Sequence, residues 1–170
     1  MSATNRGAYR QPNDFYETPA EVAKAMIDRI DWTAVSSVCE PCRGGGAIYN
    51  LLPDSVTKHW YEISEGRNYL QTATIESSTL TLTNPPYFLA EAFIEKALAH
   101  SQTCIFLLRI NFLESQRRYP FWQRNPITHL ITLSKRPSFT GRGTDATGYA
   151  WFCWDRIGLV KGPTFQWIVP

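Results

Sequence analysis

Thr79-Leu80-Thr81-Leu82-Thr83 runs directly into Asn84-Pro85-Pro86-Tyr87, and Ala90, Phe93, Ile94, Ala97 and Leu98 follow at helical spacing. The β-branched, apolar run predicts a strand over 80–83, and the stripe behind it predicts a helix. The two prolines between them remove two backbone donors and fix φ, so the connection is a stiff strand-to-helix turn with carbonyls held outward. A strand that feeds a helix in this way is half of a βαβ unit, and the rest of the chain is read around it.

Upstream, residues 1–13 show no apolar period and are expected to form a flexible arm, leaving 14–170 as a single domain. Thr18, Pro19 and Glu21 have the spacing of a helix N-cap, first helical residue and capping box, and Val22, Ala25, Met26 and Ile30 make one stripe. Residues 35–39 read as a strand, broken by Pro41 and Gly44-Gly45-Gly46, with a short helix over 47–52 and a second strand over 57–63. Downstream, Cys104-Ile105-Phe106-Leu107-Leu108-Arg109-Ile110 has the continuous apolar character of a strand covered on both faces. A short helix over 117–123 and strands over 127–133, 149–154 and 165–169 complete the chain. Early strand–helix alternation and late strands predict an α/β protein: a doubly wound, mostly parallel sheet with a C-terminal antiparallel hairpin. Ligands of such sheets lie beyond the carboxyl ends of the strands, which brings the glycine run, Glu62 and the tetrapeptide to one edge.

The 170 residues suit one core, and no apolar run nears the roughly 20 residues that span a bilayer. The polar N-terminus lacks a signal-like segment, so a cytoplasmic protein is expected, in the host cytoplasm if viral. Four scattered cysteines do not form a disulfide framework. Cys39 and Cys42 make a C-x-x-C pair without a second ligand pair, so no metal is expected. The net charge of +2 is unevenly spread: residues 1–108 hold eight basic and twelve acidic side chains, and residues 109–170 hold nine and three. A C-terminal part at +6 suits a polyanionic partner.

Asn84-Pro85-Pro86-Tyr87 resembles the catalytic motif of the S-adenosylmethionine-dependent amino-methyltransferases, especially the DNA adenine-N6 family in its small, phage-type form. Val38-Cys39-Glu40-Pro41-Cys42-Arg43-Gly44-Gly45-Gly46 resembles that family's acid–proline–glycine cofactor turn. The resemblance implies a Rossmann-like class I methyltransferase fold and S-adenosylmethionine as cofactor. It implies that Glu40, Pro41, Cys42, Gly44 and Gly46 line the methionine end, with Glu40 orienting the cationic group, and that Glu62 takes the ribose hydroxyls. Asn68-Tyr69 falls on the motif that reads the cofactor's adenine, with Asn68 where the family has an aspartate; its amide oxygen is expected to accept the adenine amine. Asp14-Phe15-Tyr16-Glu17-Thr18-Pro19 resembles the motif that closes over the cofactor's carboxylate, so Tyr16, Thr18 and Pro19 join the cofactor-binding set, Thr18 as a cap, a ligand or both, and Asn84 of the tetrapeptide is counted in that set as well.

An exocyclic aromatic amine is a poor nucleophile because its lone pair is delocalised into the ring. Acceptance of its two N–H bonds by Asn84 Oδ1 and the Pro85 carbonyl favours a tetrahedral nitrogen, so catalysis rests on positioning and electrostatics. Tyr87 is expected to stack on a target base turned out of the duplex. The basic loop from Lys135 to Asp145 resembles the corresponding hairpin of the phage-type enzymes. Arg136, Phe139 and Arg142 there, with Arg109 and Asn111 after the apolar strand, are the candidate nucleic-acid contacts, whereas Trp151 and Trp154 read as core. No segment is long enough for a separate target-recognition domain, so specificity is expected to be low or short-sequence, or to need a second subunit; monomer and homodimer stay open. DNA is the expected partner. An RNA base amine, a protein glutamine amide and a non-catalytic nucleic-acid-binding scaffold are the alternatives.

Overall fold

A computed structural model of the chain describes residues 17–139 and 146–170. The described residues build one seven-stranded sheet from β1 (Ser37–Glu40), β2 (Thr57–Trp60), β3 (Ser78–Thr83), β4 (Ser101–Arg109), β5 (His129–Leu133), β6 (Tyr149–Asp155) and β7 (Phe165–Ile168), in the order β2-β1-β3-β4-β6-β5-β7. β1 to β4 are mutually parallel, β6 is antiparallel to both β4 and β5, and β7 runs parallel to β5. Six strands therefore point one way and β6 alone is reversed. The expected antiparallel hairpin is the β5–β6 pair. β7 returns parallel to β5, because the chain crosses from the far end of β6 before pairing again.

Three helices pack on the sheet: α1 (Ala20–Ile27), α2 (Ala90–His100) and α3 (Tyr119–Arg124). Met26 of α1 belongs to the core on one face with Val38, Leu80, Leu107 and Trp151. Phe93 and Ile94 of α2 and Phe121 of α3 belong to the core on the other face with Phe106, Phe152 and Trp154. With both faces covered, all residues of β3 and β6 are buried; β6 reads as a nearly continuous apolar run, while β3 alternates threonine with leucine and buries its hydroxyls too, Thr81 Oγ1 lying 2.7 Å from Ser101 Oγ. Trp151 and Trp154 are core residues, as the sequence indicated. Among the described residues no helix is long and apolar enough to cross a membrane.

Two local expectations give way to tertiary contacts. The helix over 47–52 shrinks to a 3₁₀ turn at Tyr49–Leu51, cut short by Pro53. α1 starts one residue later than the capping-box spacing implies: its N-cap is Pro19 and no side chain caps it, because Thr18 is engaged elsewhere. At the reversed end of β6, the buried Asp155 carboxylate takes the Ile157, Gly158 and Val160 N–H groups and the Thr103 hydroxyl, at 2.8–3.3 Å. Burial alone would raise this carboxyl, but those hydrogen bonds outweigh it and hold it below the usual carboxylate range.

Candidate functional site

Strand order changes direction between β1 and β3, and a crevice opens beyond the carboxyl ends of these two strands. Leaving β1, the chain turns at once through Pro41, Cys42 and Arg43 into the glycine triplet. Gly44 and Gly46 have φ of 55° and 91°, backbone positions that L side chains avoid. Gly45 allows a close approach: a Cβ there would stand 2.7 Å from Glu17 Oε1. The turn is tied to the end of β2 by Arg43 N–H donating to the Tyr61 carbonyl at 2.9 Å and Gly44 N–H donating to Glu62 Oε2 at 2.8 Å. Glu62 Oε1 accepts from Ser64 N–H at 3.0 Å and from its hydroxyl at 2.7 Å. Burial raises the Glu62 carboxyl, yet the Ser64 and Gly44 hydrogen bonds overcome it and keep the group ionised below the usual range.

Glu40, the last residue of β1, behaves oppositely. It is 1 % exposed, and its Oε2 has no hydrogen-bond partner among the described residues. Burial drives its carboxyl well above the usual range, against the Arg43 charge and a Tyr49 N–H that pull it down. Arg43 also pairs with Glu65, and its guanidinium lies 4.0 Å from the centre of the Trp60 ring, which Arg67 also covers at 3.9 Å.

At the end of β3 the tetrapeptide forms the stiff turn expected of it. Asn84 Nδ2 donates to Thr18 Oγ1 at 3.0 Å, and the Tyr87 hydroxyl donates to Asn84 Oδ1 at 3.0 Å. Cys42 links the two turns: its sulfur lies 2.9 Å from Thr83 Oγ1 and donates to the Asn84 carbonyl at 3.4 Å. Tyr87 heads an aromatic and basic cluster. The Arg109 guanidinium sits 5.0 Å from the Tyr87 ring centre and its Nε donates to Tyr149 Oη at 3.0 Å. Tyr149 in turn lies 5.8 Å from Tyr87 and 5.0 Å from Phe139, ring centre to ring centre.

The crevice has a volume of ≈ 570 Å³ and is lined by both turns together. Its lining includes Asn84, Pro85, Pro86 and Tyr87 of one turn, Glu40, Pro41, Cys42 and Gly44 of the other, and Glu62, Thr18, Asn68 and Tyr69. Pro19 does not line it, and Gly46 is buried within its turn. Arg109 and Phe139 reach the site through Tyr87 and Tyr149, while Asn111 and Arg136 are exposed at the same sheet edge. Tyr16 and Arg142 lie outside the described residues.

Three of these residues also have partners within the protein. Asn68 Oδ1 already accepts from Leu70 N–H at 3.1 Å and Gln71 N–H at 3.3 Å, an Asx turn that commits the oxygen expected to read an adenine amine. Tyr69 is stacked on Phe93 and its hydroxyl meets His100 Nε2 at 2.7 Å, so it walls the crevice from beneath α2. Phe139 packs edge-on against Tyr149 and is not a bare loop ring. Sequence reasoning missed the apolar lining from Ile48, Ile63, Leu70, Leu89 and Phe93, and it missed Glu17. Ile63 was the detectable one: an apolar residue directly after the strand-end acid, 63 % exposed within the site.

No protein-family model matches the chain, and no curated protein is detectably similar to it in sequence. Solved structures do match. A Listeria monocytogenes protein provisionally assigned as a class I S-adenosylmethionine-dependent methyltransferase superposes with a TM-score of 0.62 at 13% identity, over 96% of this chain and 68% of that one. A Pyrococcus horikoshii protein provisionally assigned as an RNA methyltransferase gives 0.61 at 13% identity, covering 89% and 93%. The modification subunit of a provisionally assigned type I restriction enzyme from Vibrio vulnificus gives 0.59 at 16%, over 92% of this chain and 48% of that subunit. At these identities the likeness shows the fold: a Rossmann-like class I methyltransferase architecture.

Proposed function

We propose that the chain is an S-adenosylmethionine-dependent methyltransferase acting on the exocyclic N6 amine of adenine in DNA. The observation that carries this reading is that the Asn84 turn and the Glu40–Gly46 turn, forty residues apart in sequence, open into the same crevice. The residues suit that cofactor. Glu17, Glu40 and Glu62 line the space and, among the described residues, Arg43 is the cation that lines it with them, fitting a ligand that carries positive charge. The unpartnered buried Glu40 Oε2 is placed to take an ammonium N–H, the glycine turn admits close backbone approach, and Ile63, Leu70 and Phe93 offer an apolar bed for a heteroaromatic ring. Glu62 keeps one lone pair, on Oε2, for a ribose hydroxyl beyond those that the Gly44 N–H and the Ser64 N–H and hydroxyl occupy. With Asn68 Oδ1 committed, that side chain offers its Nδ2 donor to the ring.

When bound, the cofactor supplies an electrophilic methyl group on a cationic sulfur. The chain's part is to sharpen the nucleophile: Asn84 Oδ1 and the Pro85 carbonyl accept the two N–H bonds of the target amine and localise its lone pair. Tyr87 is proposed to give the base a stacking face, and Arg109, which lies over the Tyr87 ring, and the exposed Arg136 are proposed as backbone contacts. A base amine of RNA is the second reading, since the same acceptor pair grips it and the fold is shared with RNA methyltransferases.

Incubation with methyl-labelled cofactor and panels of duplex DNA, RNA and protein tests the assignment. Label in DNA is expected. Label in RNA or in protein glutamine instead selects an alternative substrate, and label in no polymer together with no cofactor binding leaves the scaffold reading.

Two further results are expected. Because burial raises the Glu40 carboxyl and a neighbouring cation favours its ionised form, cofactor binding is expected to release a proton over the pH range in which Glu40 titrates. The calorimetric binding enthalpy therefore varies with the buffer's ionisation enthalpy, and Glu40→Gln abolishes that variation. DNA affinity falls about 10- to 100-fold between roughly 50 and 200 mM salt, as expected when several phosphates are neutralised. Affinity unchanged over that range would count against the assigned basic contacts.

A further inference from the structure

We infer that the Thr18 hydroxyl is a positioning group for the Asn84 amide, needed for methyl transfer and not only for holding cofactor; the inference rests on the function proposed above and adds a residue to its machinery. Thr18 is 5 % exposed and stands directly before α1, yet it forgoes the cap that its sequence position offers. Its Oγ1 instead takes the Asn84 Nδ2–H at 3.0 Å, across 66 residues of chain, while the Tyr87 hydroxyl holds Asn84 Oδ1 from the other side at 3.0 Å.

A primary amide turned by 180° keeps its shape but exchanges its oxygen for an NH2 group. With Oδ1 presented, the N–H of an aromatic amine meets an acceptor; with Nδ2 presented it meets another donor. Hydroxyls can donate or accept, so Thr18 and Tyr87 alone do not choose between these states. The target amine chooses, because it offers only donors. Once Oδ1 faces that amine, Nδ2 points away from it into a half-buried position, where Thr18 Oγ1 is in place to accept. Acceptance there also polarises the amide and strengthens Oδ1 as an acceptor. Tyr87 has to share or release Oδ1 as the base arrives, which its two lone pairs permit. Thr18 thus anchors the amide while Tyr87 yields.

Thr18→Val keeps the side-chain shape and removes the hydroxyl; Thr18→Ser keeps the hydroxyl. Turnover at saturating cofactor and DNA is expected to fall at least about tenfold in T18V, beyond whatever cofactor affinity is lost, and T18S recovers most of the loss. Full turnover in T18V, or a loss confined to cofactor affinity, overturns the inference. A second readout needs no substrate: solvent exchange of the 15N-labelled Asn84 side-chain amide, assigned by its disappearance in N84D. Exchange is expected to be slow in wild type and T18S and faster in T18V; equal rates overturn the inference. A wild-type protein that methylates nothing would instead sink the proposed function, and the exchange measurement would still decide the Thr18 bond.

Discussion

Replacing Asn84 by alanine is expected to lower the rate of the proposed methyl transfer by about 10²- to 10³-fold, the scale on which removal of one preorganised hydrogen-bonding group from a reacting centre is felt. The loss is expected to exceed any change in cofactor affinity, since Asn84 is assigned to the target amine and its removal leaves Glu40 and Glu62 in place. Asn84→Asp keeps an oxygen at the gripping position and retains more activity than alanine. It places a negative charge against Thr18 Oγ1, which can still donate to it. Single-turnover rates with pre-bound cofactor separate the chemical step from binding. Equal single-turnover rates for N84A and wild type would show that the amine is held by something else.

The second large effect belongs to Glu62. Glu62→Gln replaces one carboxylate oxygen by an NH2 group, and either placement aims a donor at a donor: at Gly44 N–H on one side or at Ser64 N–H on the other. Loss of a charge-assisted hydrogen bond and exposure of an unpaired donor are together worth about 2 kcal/mol, or about 30-fold in an equilibrium constant. The expected result is a fall of that size in cofactor affinity, with a lower melting temperature because the glycine turn is no longer tied to β2. The pH dependence has a definite sign. The Glu62 carboxyl is held below its unfolded value, so its stabilising contribution is complete above the ordinary carboxylate range and disappears as pH falls through the lowered folded value. E62Q therefore flattens that part of the acid limb of the stability profile. A variant that binds cofactor as tightly as wild type would place the ribose contact elsewhere.

The parallel part of the sheet was readable because each strand there carries its own signal. The apolar runs over β3 and β4, the helical stripe of α2 and the glycine and proline breaks are all local. What could not be read was set by contacts between distant segments. Thr18 has the spacing of a cap, and nothing within its own turn announces that Asn84 competes for it. Asn68 reads as an acid's substitute until its loop folds back and its own backbone claims the oxygen. The cluster of Tyr87, Arg109, Phe139 and Tyr149 exists because the reversed β6 inserts beside β4, and strand order is not written in any single strand. The stack of Arg43 and Arg67 on Trp60 likewise joins a turn, a strand end and a loop. Glu62 and the tetrapeptide were placeable because the carboxyl edge of a parallel sheet gathers whatever follows its strands.

The central claim is that a rigid Asn-Pro-Pro-Tyr bend activates an exocyclic amine beside a cofactor held by the neighbouring turn. Its most direct test is nucleoside analysis by mass spectrometry of duplex DNA incubated with the protein and isotopically labelled S-adenosylmethionine. The expected product is N6-methyl-deoxyadenosine carrying the label with wild type, and almost none with N84A. Label on a ring carbon, or equal yields from wild type and N84A, would contradict it.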